Sequence, residues 1–307
     1  MKKPAFLAVC MNPTLQKTLI FPGVLPDTVN RTNEYRLDTS GKGVNVCRVL
    51  TQLGKKACHL TQLGGLLRPL FLELCEQDGL KVEWVESSSP IRFCYTIIEQ
   101  TRKTVTELVE EAEKVGEGTG EKLLETFSLI IPEYSTLIIS GTKAGGFQDN
   151  LIPEMVRMAK AESCHVILDV RGEDLLRSLQ FKPDIIKPNL YEFASTFVPE
   201  LISGNRVENI KKAKEKIGVI CKELYEKYGC VIVLTRGADP VLYAEKGKLA
   251  EYAFEAAEPF NTTGSGDAFS AGLAAALEGG ASLVEAVAEG ARCGALNAVL
   301  PKPGVIC

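Results

Sequence analysis

Short apolar runs alternate with helical patterns along almost the whole chain. The strand candidates are Phe6–Cys10, Ala57–Leu63, Lys81–Val85, Thr136–Ser140, Val166–Val170, Asp184–Lys187 and Val231–Thr235. The helix candidates are Val44–Leu53, Pro69–Gln77, Lys122–Ile130, Leu151–Ala161, Leu190–Phe197, Asn209–Tyr228, Gly266–Leu277 and Leu283–Leu300. Because helical crossovers join parallel strands, this alternation predicts an α/β fold with a doubly wound, mostly parallel sheet flanked by helices.

Two pairs of short extended segments interrupt this alternation. Thr14–Phe21 is followed by Asn30–Leu37, and Arg92–Glu99 is followed by Thr104–Val109, with no helix inside either pair. Such pairs are typical of hairpins. We therefore expect a single domain over residues 1–307, with a small β-sheet lid formed by segments at about 14–37 and 91–109. The alternative is that these segments are edge strands of the main sheet.

The composition limits the class of protein. The 307 residues are 45% hydrophobic and 24% charged, with a formal net charge of −4, which indicates a globular protein without general affinity for nucleic acid or anionic membranes. Asn12-Pro13 ends the first apolar run, so a buried strand is expected there rather than a signal peptide. The ten cysteines form no C-x-x-C pair, which favours reduced thiols and a cytoplasmic location.

A glycine-rich turn, Asn261-Thr262-Thr263-Gly264-Ser265-Gly266-Asp267, runs directly into a predicted helix. The first N–H groups of a helix lack intrahelical partners and the dipole makes that end positive, so an anion such as phosphate binds there favourably. The carboxylate of Asp267 is suited to accept a proton from an attacking hydroxyl group. The pattern favours a kinase for an alcohol, although a glycine turn that merely begins a structural helix fits the same residues.

A second glycine-containing string, Ser40-Gly41-Lys42-Gly43-Val44-Asn45, also opens a helix. Its glycines allow the backbone to approach a ligand closely, while Lys42 and Asn45 offer a charge and an amide. The spacing differs from that of a P-loop, and no G-x-G-x-x-G follows the first strand. The first observation argues against a P-loop nucleoside triphosphatase, and the second argues against a dinucleotide-dependent dehydrogenase.

Taken together, Ser40–Asn45 and Thr263–Asp267 resemble the two signatures of the ribokinase-like, or PfkB, carbohydrate kinases. Asn12-Pro13, Val29-Asn30-Arg31 and Gly41-Lys42-Gly43 are more similar to the hexose-phosphate branch, which contains 1-phosphofructokinase and tagatose-6-phosphate kinase. The resemblance covers nearly the whole chain. It implies a ribokinase-like fold and an ATP-dependent transferase that phosphorylates a hydroxyl of a sugar phosphate, of the fructose 1-phosphate or tagatose 6-phosphate type.

The resemblance also implies roles for individual residues. Asp267 would be the catalytic base, and the amides of Gly264, Ser265 and Gly266 would bind the transferred phosphoryl group. The residues implied in substrate binding are Gln16, Gly41, Lys42, Asn45, Arg92 and Gly141. Those implied in ATP binding are Lys187, Asn189, Glu192, Thr235, Gly237 and Asn297, with Asn297 on the adenine side. Asn189 and Glu192 would place Mg²⁺ through water, and lid sheets in this family often pair between subunits, which leaves a homodimer open.

Several of these residues have simpler alternative interpretations. Asn189 and Glu192 fit the capping box of a helix, Thr235 and Gly237 fit an ordinary strand exit, and Arg92 fits a solvated strand residue. All of these motifs fall at or just beyond the carboxyl ends of predicted parallel strands. Ligands of open α/β sheets bind at that edge, which favours the functional interpretation.

The sequence departs from the hexose-phosphate pattern on the substrate side. Gln16 stands where the branch has an aspartate, and Cys94 and Thr96 stand where it tends to have asparagine and lysine. Thr39 and Ser40 replace the proline and first glycine of its P-G-G-K-G motif. Two alternatives therefore remain open beside a sugar-phosphate kinase. One is a kinase for an unphosphorylated sugar or a nucleoside, and the other is a non-catalytic protein that binds a nucleotide or phosphosugar.

Overall fold

The computed structural model describes residues 5–204, 206–207 and 210–307. The strands are β1 (Phe6–Val9), β2 (Thr14–Phe21), β3 (Tyr35–Ser40), β4 (Ala57–Leu63), β5 (Lys81–Glu86), β6 (Arg92–Glu99), β7 (Thr104–Val109), β8 (Thr136–Ser140), β9 (His165–Asp169), β10 (Ile185–Ile186), β11 (Ile202–Ser203), β12 (Arg206–Val207), β13 (Val231–Arg236), β14 (Asp239–Glu245) and β15 (Lys248–Tyr252). The helices are α1 (Lys42–Gln52), α2 (Arg68–Gln77), α3 (Thr119–Ile130), α4 (Leu151–Ala161), α5 (Gly172–Ser178), α6 (Leu190–Phe197), α7 (Ile210–Tyr228), α8 (Ser265–Glu278) and α9 (Leu283–Ala298).

The main sheet has the strand order β15-β14-β13-β10-β9-β8-β1-β4-β5 within the described residues. In this order, the strands from β13 to β5 are parallel to one another. At the other edge, β14 pairs antiparallel with both β13 and β15. From β1 the chain first adds β4 and β5 on one side and then β8, β9 and β10 on the other. The strand order therefore reverses between β1 and β8, and the predicted doubly wound α/β fold is confirmed.

Both faces of this sheet are covered by helices, as its continuous apolar strands require. In β1, Phe6 and Ala8 pack into the core formed with α1, α2, α8 and α9. Leu7 and Val9 point to the opposite face and pack into the core formed with α3 to α7. This alternation along a single strand places the chain between two hydrophobic layers and fixes its register.

A separate four-stranded sheet has the order β3-β2-β6-β7. It contains two antiparallel hairpins, β2–β3 and β6–β7, joined by parallel pairing of β2 with β6. The predicted second sheet is therefore confirmed, and the alternative that these segments are edge strands of the main sheet is wrong. We refer to this four-stranded sheet as the lid.

The first hairpin differs from the predicted one because its second strand is Tyr35–Ser40 rather than Asn30–Leu37. The side chain of Asn30 bonds to both the N–H and the carbonyl oxygen of Leu25, at 3.0 and 2.8 Å. Those bonds close a loop, so the backbone at Asn30 cannot pair with β2. The strand consequently begins five residues later.

The remaining differences from the prediction are shifted element ends and a few elements that were not predicted. The unpredicted elements are the short helix α5, the two-stranded sheet of β11 and β12, and the strands β14 and β15 at one edge of the main sheet. Asn209, the predicted start of α7, lies outside the described residues. The other predicted helices are present with ends shifted by at most a few residues. Across the part of the chain that the structure describes, no helix has the length and apolar character needed to cross a membrane.

Candidate active site

A cleft of about 780 Å³ lies between the lid and the carboxyl ends of the parallel strands. The core contributes residues that follow β1, β8, β9, β10 and β13, together with the turn before α8. The lid contributes residues of β2, β6 and β7. The cleft therefore includes the point between β1 and β8 at which the strand order reverses, where open α/β sheets bind their ligands.

Asp267 lies in the first turn of α8 and faces this cleft. Its side chain is nearly buried, and its Oδ2 atom accepts a hydrogen bond of 2.8 Å from Nδ2 of Asn45 on α1. Gly264 begins the helix with a φ of 83°, a left-handed conformation that glycine adopts without strain. The turn and the carboxylate are thus fixed together at one helix N-terminus.

The pKa of Asp267 is raised to about 7. Burial, which disfavours the charged form, is the main cause, while the nearby Lys42 and the hydrogen bond from Asn45 oppose it. Asp169 raises the pKa further and Lys187 lowers it. A carboxyl group with a pKa close to neutrality is well matched to general base catalysis at physiological pH.

Asp169, at the end of β9, links two cationic side chains in the cleft. Its Oδ2 atom lies 3.6 Å from Nζ of Lys42 and 3.5 Å from Nζ of Lys187. Asp169 is the main cause of the raised pKa of Lys42, so that lysine stays charged. Sequence reasoning missed Asp169, although a carboxylate at the carboxyl end of a buried parallel strand was a signal that could have found it.

The predicted substrate-side glycines have left-handed backbone conformations. Gly41 precedes α1 with a φ of 105°, and Gly141 follows β8 with a φ of 91°. A Cβ atom on Gly141 would be in van der Waals contact with the side chain of Lys42, at 3.5 Å, so the left-handed backbone rather than a lack of space favours glycine there. Gly41, Lys42, Asn45 and Gly141, four of the residues that the resemblance implies in substrate binding, all line the cleft.

The residues that depart from the hexose-phosphate pattern are neighbours in space. Gln16 on β2 is buried, and its Nε2 atom donates a 2.6 Å hydrogen bond to the hydroxyl of Thr96 on β6. Gln16, Cys94 and Arg92 line the cleft. The Nη1 atom of Arg92 donates to the carbonyl oxygen of Glu110 at 2.6 Å, while its buried Nε has no partner among the described residues.

Asn189 and Glu192 form a capping box at the start of α6. Asn189 Oδ1 accepts from the N–H of Glu192 at 2.8 Å, and Glu192 Oε2 accepts from the N–H of Asn189 at 2.9 Å. The structural alternative for these residues is therefore present, yet both also line the cleft. The other oxygen of Glu192 lies 3.8 Å from Nζ of Lys42, and Thr235 lies beside Asn189 across a parallel bridge.

Three predicted residues do not line the cleft. Ser265 uses its N–H group in a 3.1 Å bond to the carbonyl oxygen of Thr262. Gly237 lies in the turn between β13 and β14. Asn297 is completely buried, and its Nδ2 atom donates to the carbonyl oxygens of Lys302 and Val305, so its amide holds the C-terminal segment instead of facing a ligand.

A second cavity of about 310 Å³ lies between the segment at the end of β15 and α9. It is lined by Tyr252, Phe254, Glu255, Ala257, Ala288, Ala291, Arg292, Ala295, Leu296 and Val299. Gly294, beside the lining residue Ala295, lies close to the start of α8, because a Cβ atom on Gly294 would lie 3.1 Å from the carbonyl oxygen of Ser265. Sequence reasoning missed this cavity because alanine and leucine side chains carry no chemical signature.

The lid contacts the turn before α8 directly. The hydroxyl of Thr263 donates a 2.7 Å hydrogen bond to Glu107 on β7, and Lys103 pairs with Glu258 nearby. Glu107 also lines the cleft. These contacts place the second hairpin of the lid over the glycine turn, and neither was predicted from the sequence.

Comparisons with known proteins find relatives in both sequence and fold. A tagatose-6-phosphate kinase from Staphylococcus epidermidis is 25% identical over 302 residues, which cover 98% of this chain and 94% of the relative. The structure of the tetrameric inhibited form of phosphofructokinase-2 from Escherichia coli matches with a TM-score of 0.81 at 21% identity, covering 97% of this chain and 94% of that one. A structure described as a possible 1-phosphofructokinase from Thermotoga maritima matches with a TM-score of 0.85 at 20% identity, covering 97% and 93%.

The family model described as pfkB family carbohydrate kinase matches residues 5–303, which include both glycine turns, the lid and the cleft between them. The match extends over nearly the whole chain. This protein therefore belongs to the pfkB family of carbohydrate kinases.

Proposed function

We propose that this protein is an ATP-dependent kinase that phosphorylates a hydroxyl of a sugar phosphate, of the fructose 1-phosphate or tagatose 6-phosphate type. One observation carries this proposal: the buried Asp267 lies in the cleft at the N-terminus of α8, within 2.8 Å of the Asn45 amide. A non-catalytic binding protein has no need of a carboxylate whose pKa is near neutrality beside an anion-binding turn. The named relatives act on sugar phosphates of this class.

In this mechanism, Asp267 accepts the proton of the substrate hydroxyl as that oxygen attacks the terminal phosphoryl group of ATP. Asn45 orients the carboxylate through its 2.8 Å hydrogen bond. The amides of Gly264 and Gly266 and the buried cation of Lys187 stabilise the negative charge of the transferred group. Positioning and electrostatic stabilisation supply most of the catalysis in phosphoryl transfer.

We infer that Mg²⁺ accompanies the nucleotide near Asn189 and Glu192. Among the described residues, no group of three or more histidine, cysteine, aspartate or glutamate side chains is arranged to hold a metal ion. Mg²⁺ fits a site of this kind because it keeps several waters and binds through one or two carboxylates together with the phosphates of the substrate. When bound, the ion would neutralise charge on the phosphates.

We infer that the adenine of ATP occupies the cavity between the β15 end and α9. Tyr252 and Phe254 offer aromatic surface there, and Ala291 and Ala295 leave room for a planar ring. Gly294, next to the lining residue Ala295, approaches the start of α8, since a Cβ atom on it would lie 3.1 Å from the carbonyl oxygen of Ser265. A nucleotide seated in the cavity would therefore extend its phosphates towards Gly264 and Gly266. This location replaces Asn297 in the role that the resemblance implied.

An anionic sugar is the acceptor that best matches the other end of the cleft. Lys42 and Arg92 both line it, and two cationic side chains favour a substrate that carries a negative charge. The lid would cover the bound substrate and exclude water, which competes for the phosphoryl group. The neutral Gln16–Thr96 pair is placed to decide which hexose phosphate is accepted.

The test is an assay of ADP release over a panel of sugar phosphates, unphosphorylated sugars and nucleosides. We expect fructose 1-phosphate, tagatose 6-phosphate or a closely related hexose phosphate to give the highest kcat/KM, with little ADP released when no acceptor is present. A preference for free sugars or nucleosides would replace the sugar-phosphate assignment. Absence of stimulation by every compound, with nucleotide still bound, would favour a non-catalytic binding protein.

A further inference from the structure

Arg48 is buried within α1 and uses all of its donor groups. Its Nη1 atom donates to Oδ1 of Asn45 at 3.1 Å and to the carbonyl oxygen of Pro303 at 2.9 Å. Its Nη2 atom donates to the carbonyl oxygen and hydroxyl of Thr39, at 2.8 and 3.0 Å, and its Nε donates to Asp78 at 2.9 Å. Arg48 does not line the cleft, so it cannot contact a substrate.

These bonds determine which way the amide of Asn45 faces. A guanidinium group has five donors and no acceptor, so only the oxygen end of the amide can bond to it. The hydroxyl of Ser40 donates to the same oxygen at 3.4 Å. The amino end of Asn45 is left to donate to the carboxylate of Asp267. Arg48 therefore selects the orientation in which Asn45 favours the ionised form of Asp267.

Arg48 also fixes the turn formed by Pro303 and Gly304, which follows α9. Gly304 has a φ of 68°, and a Cβ atom there would lie 2.7 Å from Cα of Asn45. On the other side, a Cβ atom on Gly264 would lie 2.8 Å from the backbone nitrogen of Gly304. The Pro303–Gly304 turn is thus packed between the two backbone positions that carry Asn45 and the glycine turn.

We propose that Arg48 is a positioning residue for phosphoryl transfer, holding the Asn45 amide and the Pro303–Gly304 turn so that Asn45 donates to the Asp267 carboxylate. The inference rests on the proposed function, in which Asp267 is the base. Without the cation, the amide of Asn45 is free to turn its oxygen towards Asp267. That orientation repels the carboxylate and favours its protonated form.

The other charged groups around Asp267 are not hydrogen-bonded to Arg48. The charged and titratable groups that face Asp267 are Lys42 on α1, Asp169 at the end of β9, Lys187 after β10 and the Cys10 thiol after β1. The hydrogen bonds of Arg48 go to Asn45, Pro303, Thr39 and Asp78 and to none of these four groups. Its substitution therefore reaches the carboxylate through Asn45 and the Pro303–Gly304 turn.

The experiment is a titration of Asp267 by NMR of protein labelled with ¹³C at aspartate carboxyls, with the signal assigned from Asp267→Asn. In Arg48→Met we expect the titration midpoint to rise by about one pH unit, since a hydrogen bond to a charged group has been removed. The acidic limb of kcat/KM should rise with it. Arg48→Lys retains a cation that only donates, and should return the midpoint most of the way to that of the wild type.

Lys302→Met is the matched control. Lys302 belongs to the same ionic cluster, with Nζ 3.5 Å from Asp38 and paired with Asp78, but it has no bond to Asn45. We expect the control to lose stability without moving the midpoint. If Arg48→Met does not fold, Arg48→Gln serves instead, because a glutamine amide has a donor and an acceptor and no longer dictates how Asn45 faces.

An unmoved midpoint in a folded Arg48→Met or Arg48→Gln protein overturns the proposal and leaves Arg48 a purely structural residue. The NMR titration needs no turnover. A protein that phosphorylates no sugar would therefore refute the proposed function while the positioning effect is still measured. An active enzyme with an unmoved midpoint would refute the role of Arg48 alone.

Discussion

Two opposing effects set the pKa of Asp267 at about 7. Burial raises the pKa, while Lys42 and the hydrogen bond from Asn45 favour the ionised form and lower it. A general base works only when deprotonated. We therefore predict that kcat/KM rises with pH through a limb near pH 7 and is level above it. The measurement is the pH profile of kcat/KM with saturating nucleotide. A profile that is flat from pH 5 to pH 8 would show that Asp267 is not the titrating base.

The raised pKa of Asp267 also makes the stability of the protein depend on pH. The direction of this dependence is opposite to that produced by a salt-bridged carboxylate, whose pKa is lowered. The pKa of Asp267 is about 7 in the folded protein and 3.8 when unperturbed. At a pH between these two pKa values, the folded state therefore binds a proton that the unfolded state lacks. Stability is therefore greatest at low pH for this group and falls as pH rises towards 7. The shift corresponds to a loss on the order of 4 kcal/mol. Asp267→Asn should accordingly raise Tm at pH 8, which differential scanning fluorimetry measures.

Gln16 lines the lid side of the cleft, where we expect it to contact sugar hydroxyls. We predict that Gln16→Asp changes the relative kcat/KM among hexose phosphates by about fivefold or more, because a carboxylate accepts stronger hydrogen bonds from hydroxyls than an amide does. Gln16→Asn is the control, since it shortens the side chain without adding charge. If both variants keep the wild-type order of preference, Gln16 does not contact the substrate.

Asn189 and Glu192 at the start of α6 both form a capping box and line the cleft. Substitutions can separate the capping role from a role in the cleft. Glutamine at position 192 keeps an oxygen for the N–H of Asn189 but removes the charge. Glu192→Gln should therefore leave Tm nearly unchanged and lower activity at limiting Mg²⁺ by tenfold or more, with partial recovery at high Mg²⁺. Asn189→Ala, which removes the cap, should cost about 1 kcal/mol of stability in urea unfolding. A Glu192→Gln enzyme with the wild-type Mg²⁺ dependence would leave Glu192 a capping residue only.

Helices and strands that bury regular apolar faces were predictable from the sequence, and irregular ones were not. The runs at β1, β4 and β8 are buried on both sides, so their composition alone identified them. The edge strand β15 is mostly half-buried or exposed and carries charged residues, so it lacked that signal. Helix α5 is only seven residues long, too short for its periodicity to stand out.

The glycine turns were identifiable in the sequence, but their surroundings were not. Asn45 and Asp267 are 222 residues apart and Arg48 and Pro303 are 255 apart, so no local pattern connects them. The surroundings of Asn297 could not be predicted from the sequence either. Its position on the last helix was found, but the helix rotation that buries its amide against Lys302 and Val305 depends on packing with α8.

The lid has an exposed outer edge, which matters for assembly. Every residue of β7 is exposed, and Leu108 and Val109 are each about half exposed. Native proteins seldom leave such an edge uncovered. We predict that the protein is a homodimer through the lid, with a mass near twice 33.4 kDa by light scattering. Leu108→Lys should shift it towards the monomer. A wild-type mass of one chain at micromolar concentration would contradict the dimer.

The lid, the glycine turn and the strand ends all converge on one carboxylate, so its replacement tests the whole arrangement. Asp267→Asn should bind ATP with nearly the wild-type Kd, because the turn before α8 and Lys187 are unchanged. Formation of phosphorylated sugar should fall by about 10²- to 10⁴-fold, the usual contribution of a general base. The decisive measurement is therefore the kcat for product formation by Asp267→Asn beside its Kd for ATP. Turnover within about tenfold of the wild type, with ATP still bound, would contradict the assignment of Asp267 as the base.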